Sequence, residues 1–352
     1  MWIVVPCAVR PVGNRWHDPR TEDFSSLRAG AGRPPFRGIS REAFTLLELL
    51  VAMAVLVIVA GLGLSIMTAT TSAWNVNKAR MGAFAEARVA FETLTHRLSQ
   101  ATLNTYWDYD NRGTPTRYLR KSELHFIQGR AADLLPAVPN TSTDAVFFVA
   151  PLGITDTTNY QPLVKMLSAC GFYVRFDADS NRPAFLDGKI AKRYRFRLYQ
   201  FLQPGERLGI YPPPQGNNWF QNDILNWSFP MADNVIGLIL RVKYPVAGGS
   251  TVVSTYDSRL NPNPNLPPAT FNQLPPVISA TLVVIDESSA RRLENGANPP
   301  AILPDPPAFL LPGQYDQDIS DWETKLQNFV PKIAYRVLSA DIHLRGAKWS
   351  SN

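Results

Sequence analysis

From Leu49 to Met67 the chain runs nineteen residues without a charge, LLVAMAVLVIVAGLGLSIM, apolar on every side of a helix drawn through it. At 1.5 Å per residue this stretch would extend roughly 28 Å, about one hydrocarbon core of a bilayer. Beyond it the pattern changes. Trp74, Met81, Phe84, Ala87, Phe91, Leu94 and Leu98 recur at sevens, threes and fours, with Arg88, Glu92 and His96 spaced i, i+4 beside them, which predicts one apolar and one polar helix face. The two stretches read as one helix over 44–103, or as two helices interrupted between Thr68 and Ser72.

Past residue 105 the pattern is that of strands. They are predicted over 123–128, 144–150, 171–177, 193–202, 235–244, 277–286 and 333–344. Near the end, Ser320-x-x-Glu323 has the spacing of a capping box, Ile319, Trp322, Leu326 and Phe329 share a helical face, and Pro331 stops it. Most of the 30 prolines lie beyond the first hundred residues, and the runs at Tyr211-Pro-Pro-Pro and from Asn261 to Pro268 predict exposed loops. Together these patterns predict an α+β chain, a long N-terminal helix packed on antiparallel sheet with Pro-rich connections. Its expected divisions are 1–43, 44–72, 73–105 and an external β-rich domain at 106–352.

Composition narrows the function. With 45% hydrophobic and 18% charged residues, the body can bury a real core. Of the net charge of +6, half lies in residues 1–43, where seven Arg face Asp18, Glu22, Asp23 and Glu42. The remaining +3 is spread too thinly for a nucleic-acid groove. Arg193, Arg195 and Arg197 alternate with Tyr194, Phe196 and Leu198, predicting a cationic strand face, read as a wet outer surface with an anionic partner as the alternative.

Cys170 is the only cysteine beyond Cys7 and is expected to be buried as a small apolar residue, with pairing between molecules as the alternative. His17, His96, His125 and His343 do not cluster at zinc-ligand spacing, so no metal is assigned. Asp177-x-Asp179-x-Asn181 and the Asp108, Asp110, Asn111 group open like calcium loops, but Arg182 and Arg112 stand where such loops need other residues. Both read as polar turns. None of G-x-S-x-G, H-E-x-x-H, G-x-x-x-x-G-K or a dinucleotide fingerprint occurs, so the sequence offers no catalytic residue and no cofactor.

The apolar stretch is longer than the about 7 to 15 residues of a secretory signal. Arg33, Arg37 and Arg41 precede it, and basic flanks stay cytoplasmic, which puts the body on the far side of the membrane. A plain anchor explains all of this except Glu48, a carboxylate one turn into the segment after Phe44. An acid at mid-bilayer costs roughly 2.5 to 3.5 kcal/mol, less near an interface, so it asks for a cation. A chain cut before Phe44 supplies one, its new α-ammonium.

Ala43-Phe44-Thr45-Leu46-Leu47-Glu48, continuing as LLVAMAVLVI, resembles the type IV prepilin cleavage and methylation motif. The resemblance implies cleavage between Ala43 and Phe44 by a prepilin peptidase, N-methylation of Phe44, and a Glu48 that aligns subunits during assembly. Ala43 departs from the family's usual glycine, and Glu42 adds a charge beside the cut. The order of features from Phe44 onward, with PPVISATLVVIDE and YRVLSADIHLRGAKWS, resembles the Verru_Chthon cassette protein C family of prepilin-like proteins. More distantly it resembles the minor pseudopilin J of type II secretion. These resemblances imply a pilin-like fold and a non-enzymatic subunit of a pilus-like or secretion filament or its tip. The implied setting is the bacterial inner membrane, crossed once, with a cytoplasmic N-terminus and a periplasmic C-terminal domain. The implied partners are prepilin peptidase with its N-methyltransferase activity, other pilin-like subunits, an inner-membrane assembly platform and lipid. A membrane-tethered periplasmic binding protein or enzyme is the rival reading.

Overall fold

The computed structural model describes residues 45–179, 183–186, 188–211, 216–262, 268–304 and 308–350. The chain divides into two compact units, Met1–Gly63 and Leu64–Asn352. Helix α1 spans Leu46–Ser99 without interruption, the first of the two arrangements the pattern allowed. Where a break was the alternative, Thr68, Thr70 and Thr71 turn their hydroxyls back onto the carbonyls of Ser65, Ile66 and Met67 at 2.9, 2.8 and 2.8 Å. Hydroxyls satisfied inside the helix need no solvent, so they do not end it.

In the second unit, α1 buries Ala87, Ala90, Phe91, Leu94 and Leu98. Trp74 departs from the expected stripe: it is 71% exposed, and among the described side chains the core that α1 covers begins at Phe84, the Met81 side chain lying outside them. The polar side is as expected, with Arg88 Nε 3.0 Å from Glu92 Oε1 on the exposed face.

Twelve strands occur among the described residues: β1 Tyr106–Tyr109, β2 Tyr118–Lys121, β3 Ile127–Arg130, β4 Thr141–Ala150, β5 Ser168–Ala178, β6 Tyr194–Gln203, β7 Ser228–Asp233, β8 Val235–Val246, β9 Gly249–Val253, β10 Tyr256–Asp257, β11 Val277–Ile285 and β12 Tyr335–His343. The helices after α1 are α2 Ala131–Leu134, α3 Asn218–Gln221, α4 Glu287–Leu293 and α5 Tyr315–Asn328. β1 and β2 form a hairpin, a six-stranded sheet has the order β10-β3-β4-β5-β6-β7, and a four-stranded sheet has the order β12-β11-β8-β9. Every pairing is antiparallel, giving the α+β architecture the pattern predicts.

The six-stranded sheet is covered on both faces. On one, Val146, Phe148, Cys170, Phe172 and Leu198 join the core that includes the α1 stripe. On the other, Phe147, Tyr173 and Phe201 pack with Leu134, Trp219 and Phe220 from α2 and α3. This double covering corrects the reading of the Arg193–Arg197 face. Arg193 is exposed, but Arg195 and Arg197 are buried and paired within the chain. Arg195 reaches Glu294 at 3.0 Å and Glu287 at 3.3 Å, and Arg197 reaches Asp233 at 2.7 Å and Asp177 at 2.9 Å. A buried guanidinium requires such partners, so this face is neither wet nor open to an anion.

The two sheets are joined by side chains. β9 pairs β8 only along Val242–Val246, which leaves the earlier part of that β8 edge to β4 and β3. There Ser142 Oγ donates to Ile236 O at 2.9 Å, Leu238 N donates to Thr143 Oγ1 at 2.8 Å, Leu240 N donates to Asp144 Oδ2 at 2.8 Å, and Gln128 Nε2 donates to Leu240 O at 3.2 Å. The β4 register slips between Ser142 and Val146, and Thr143 sits at φ 54°. The slip turns consecutive side chains toward β8.

α5 corrects the expected capping box. The helix begins at Tyr315, led in by the 3₁₀ turn Pro312–Gln314, and Ser320 lies inside it with its carbonyl accepting from Thr324 Oγ1 at 2.8 Å. Proline ahead of the first turn, with Asp316 and Asp318 in it, was the true start signal. The expected face is real at Trp322 and Leu326, both buried. Of the two proline-rich loops, residues 212–215 and 263–267 lie outside the described residues.

Candidate functional site

The N-terminal motif centres on the start of α1. Ala43 and Phe44, the expected cleavage and methylation positions, lie outside the described residues. Thr45 is the first residue described, and it caps the helix. Its carbonyl accepts from Glu48 N at 3.1 Å and Leu49 N at 3.2 Å, and its Oγ1 accepts from Glu48 N at 3.3 Å. Thr45-x-x-Glu48 is thus a capping-box sequence at the place where a helix starts, which the sequence reading passed over in favour of Ser320. An acid in the first turn also favours the helix electrostatically, by about 0.3 to 1 kcal/mol. Glu48 therefore has local work at the helix start in addition to any partner it meets.

Behind the cap, Leu46–Asn75 is long and apolar enough to cross a membrane. None of its strongly apolar window is buried within the chain. Leu56, Val57, Ile58 and Val59, successive positions that point to all sides of the helix, are 61, 65, 63 and 61% exposed. An apolar band of this length, bare all round, is stable against lipid or against other helices rather than against water. Gly61 and Gly63 have nothing within 4 Å of where a Cβ would stand. They are thus open points on the helix surface.

Elsewhere the polar groups that suggest chemistry are held by the fold. His125 is buried, with Nε2 2.7 Å from Asp257 Oδ1 and Nδ1 accepting from Trp219 Nε1 at 3.1 Å. Indole nitrogen can only donate, so Nδ1 carries no proton and Nε2–H faces Asp257. Burial pushes the imidazole below its ordinary value, and both ring nitrogens are taken. This pair orients a core histidine and leaves no nitrogen for a substrate.

Of the two calcium-like groups, Asn181 and Arg182 lie outside the described residues, and Asp108, Asp110 and Asp177 are held in turns and pairs. Asp110 accepts from Thr116 Oγ1 and from the backbone N–H of Asn111, Thr116 and Arg117, which holds its carboxyl well below the usual range. Asp108 meets Arg112 at 3.1 Å and Lys121 at 3.3 Å. Asp177 accepts from Arg197 Nη1 at 2.9 Å and Tyr199 OH at 2.7 Å. Among the described residues no group of three or more His, Cys, Asp or Glu is placed to hold a metal ion. Cys170 is buried and free, its thiol pushed up to about 11 by burial.

Residues 40–64 match the prokaryotic N-terminal methylation motif, which is prepilin-type. No curated protein and no solved structure matches the chain. The motif is that of prepilin-like substrates of prepilin peptidase, and with the apolar helix behind it fits a single-pass membrane anchor.

Proposed function

We propose that the chain is a minor pilin- or pseudopilin-like subunit, with a structural rather than enzymatic role. Prepilin peptidase cuts it between Ala43 and Phe44 and methylates Phe44, and the processed subunit enters a type IV pilus-like or type II secretion-like filament or tip complex. The observation that carries this reading is the match of residues 40–64 to the methylation motif, continuous with a bare apolar helix. The leader is 1–43, the anchor and assembly helix 44–72, its amphipathic continuation 73–105, and the external domain 106–352. The N-terminal side is cytoplasmic and the external domain lies in the periplasm, facing the inner membrane's assembly platform and neighbouring pilin-like subunits. The likeness to Verru_Chthon cassette protein C and to pseudopilin J belongs to the same proposal.

Chemically, the cut creates an α-ammonium one helical turn from Glu48. At about 4 Å two unit charges attract by roughly 4 kcal/mol at an effective dielectric of 20, much of it offset by desolvation. Such a pair sets register between neighbouring helices more than it adds stability. Mass spectrometry of the N-terminus of the chain from its native membrane tests the reading. The expected first residue is N-methyl-Phe44, and a chain that keeps residues 1–43 in cells with a working prepilin peptidase overturns it.

A second reading has its own observation. Because Thr45-x-x-Glu48 caps α1, Glu48 could be present for the helix alone, in a periplasmic binding protein or enzyme tethered by α1. Removing the carboxylate while keeping the cap separates the two.

A further inference from the structure

The seam between the sheets borders a cavity of about 180 Å³. An apolar cavity of roughly 150 Å³ is enough to take up benzene, so this one accommodates a ligand the size of a single residue. Its polar lining comes from β3 and β4, with Arg130, Thr141 and Asp144, and its apolar lining includes Leu303, Phe309 and Leu310.

Two polar groups in that lining keep hydrogen-bonding capacity that the described residues do not fill. Arg130 and Asp144 stand opposite each other in the β3–β4 register, the usual setting for a cross-strand ion pair, yet they form none. Among the described residues Arg130 has no hydrogen-bond or ion-pair partner. Asp144 is only 7% exposed; its Oδ2 is taken by Leu240 N at 2.8 Å, while Oδ1 makes no hydrogen bond among the described residues. Burial pushes its carboxyl up to about 7, against the lowering effect of Leu240 N–H and the Arg130 charge. The residue before it, Thr143, holds the left-handed φ of 54° within the β4 slip, a conformation costly for a β-branched side chain. Strain, a bulge and a buried acid with one oxygen still unbonded converge on one concave wall, the combination expected of a binding site.

We propose that this cavity binds an α-amino acid unit, free or as the last residue of a peptide. Its N–H group donates to Asp144 Oδ1, its carboxylate meets the Arg130 guanidinium, and an apolar side chain lies against Leu303 and Phe309. A cation and an acceptor on one wall fit the two groups that share one carbon in such a ligand, and the apolar part of the lining fits its side chain. This site lies outside the N-terminal motif and does not depend on the filament reading.

The test uses the full chain in detergent and calorimetric titration with leucine, with a tripeptide ending in leucine, and with the same tripeptide amidated. Saturable binding of leucine identifies the free amino acid as ligand, and binding of the acid tripeptide identifies a chain end. In either case the Arg130→Gln variant, which removes a guanidinium that makes no hydrogen bond or ion pair among the described residues, binds about tenfold or more weakly, as does the amidated peptide where the acid peptide binds. Asp144→Asn keeps an acceptor for Leu240 N and also weakens binding. Absence of saturation by both leucine and the acid tripeptide up to about 10 mM overturns the site, as does binding indifferent to Arg130→Gln.

Discussion

Single residues decide how tightly the body is built. Gly171 of β5 stands opposite Phe147 in register, and a Cβ there would fall 2.2 Å from Phe147 Cδ1. Phe147 cannot move aside, because its ring stacks on Phe220 at 4.0 Å between centroids. Gly171→Ala should therefore cost about 1 to 3 kcal/mol, read as a lower denaturant midpoint. Asp144 sets a pH dependence. Its carboxyl titrates at an ordinary 3.8 when unfolded and at about 7 when folded, so the folded chain holds a proton that the unfolded chain releases. That contribution is full below about pH 4 and is lost as pH rises through 7. Measured against Asp144→Asn, the native chain should lose stability between about pH 4 and pH 7, by at most ~1.4 kcal/mol per unit, and level off above that. An equal pH profile for the two proteins would rule this out.

At the scale of elements, legibility followed the length of the apolar run. β4, β5, β6, β8, β11 and β12 were readable because each carries a long run of apolar or alternating residues. β1, β2, β7, β9 and β10 were not. They are two to six residues long, β7 contains Pro230, and they exist by pairing with neighbours rather than by pattern. The burial of Arg195 and Arg197 was hidden for a related reason, since their acidic partners come from β5, β7 and α4, far apart in sequence. The prepilin-type motif was legible in Ala43-Phe44-Thr45-Leu46-Leu47-Glu48, within the matched residues 40–64, whereas the role of Thr45 was not recognised although its signal was present. The join between the sheets was invisible in the sequence, being built from a slip in β4. Thr143→Val keeps the shape but removes the acceptor for Leu238 N, leaving a buried donor unsatisfied. The expected loss is about 1 to 3 kcal/mol, and unchanged thermal unfolding would contradict it.

For the whole molecule the question is whether Glu48 serves one helix or many. Glutamine satisfies a capping box as glutamate does, so Glu48→Gln leaves the helix start intact while removing the charge. The proposed subunit should then still insert in the membrane and still be cut, but fail to enter filaments, as measured by its share in sheared or co-purified assemblies. Unimpaired incorporation would favour the tether.

The side-chain contacts along β8 have a consequence for aggregation. A strand edge with unpaired amides is a template onto which another molecule's strand can add. Here Ser142, Thr143 and Asp144 occupy those amides and carbonyls in place of a further strand. Damage to this short segment would therefore do more than loosen the fold. It would uncover a sticky border, and self-association should appear before global unfolding does.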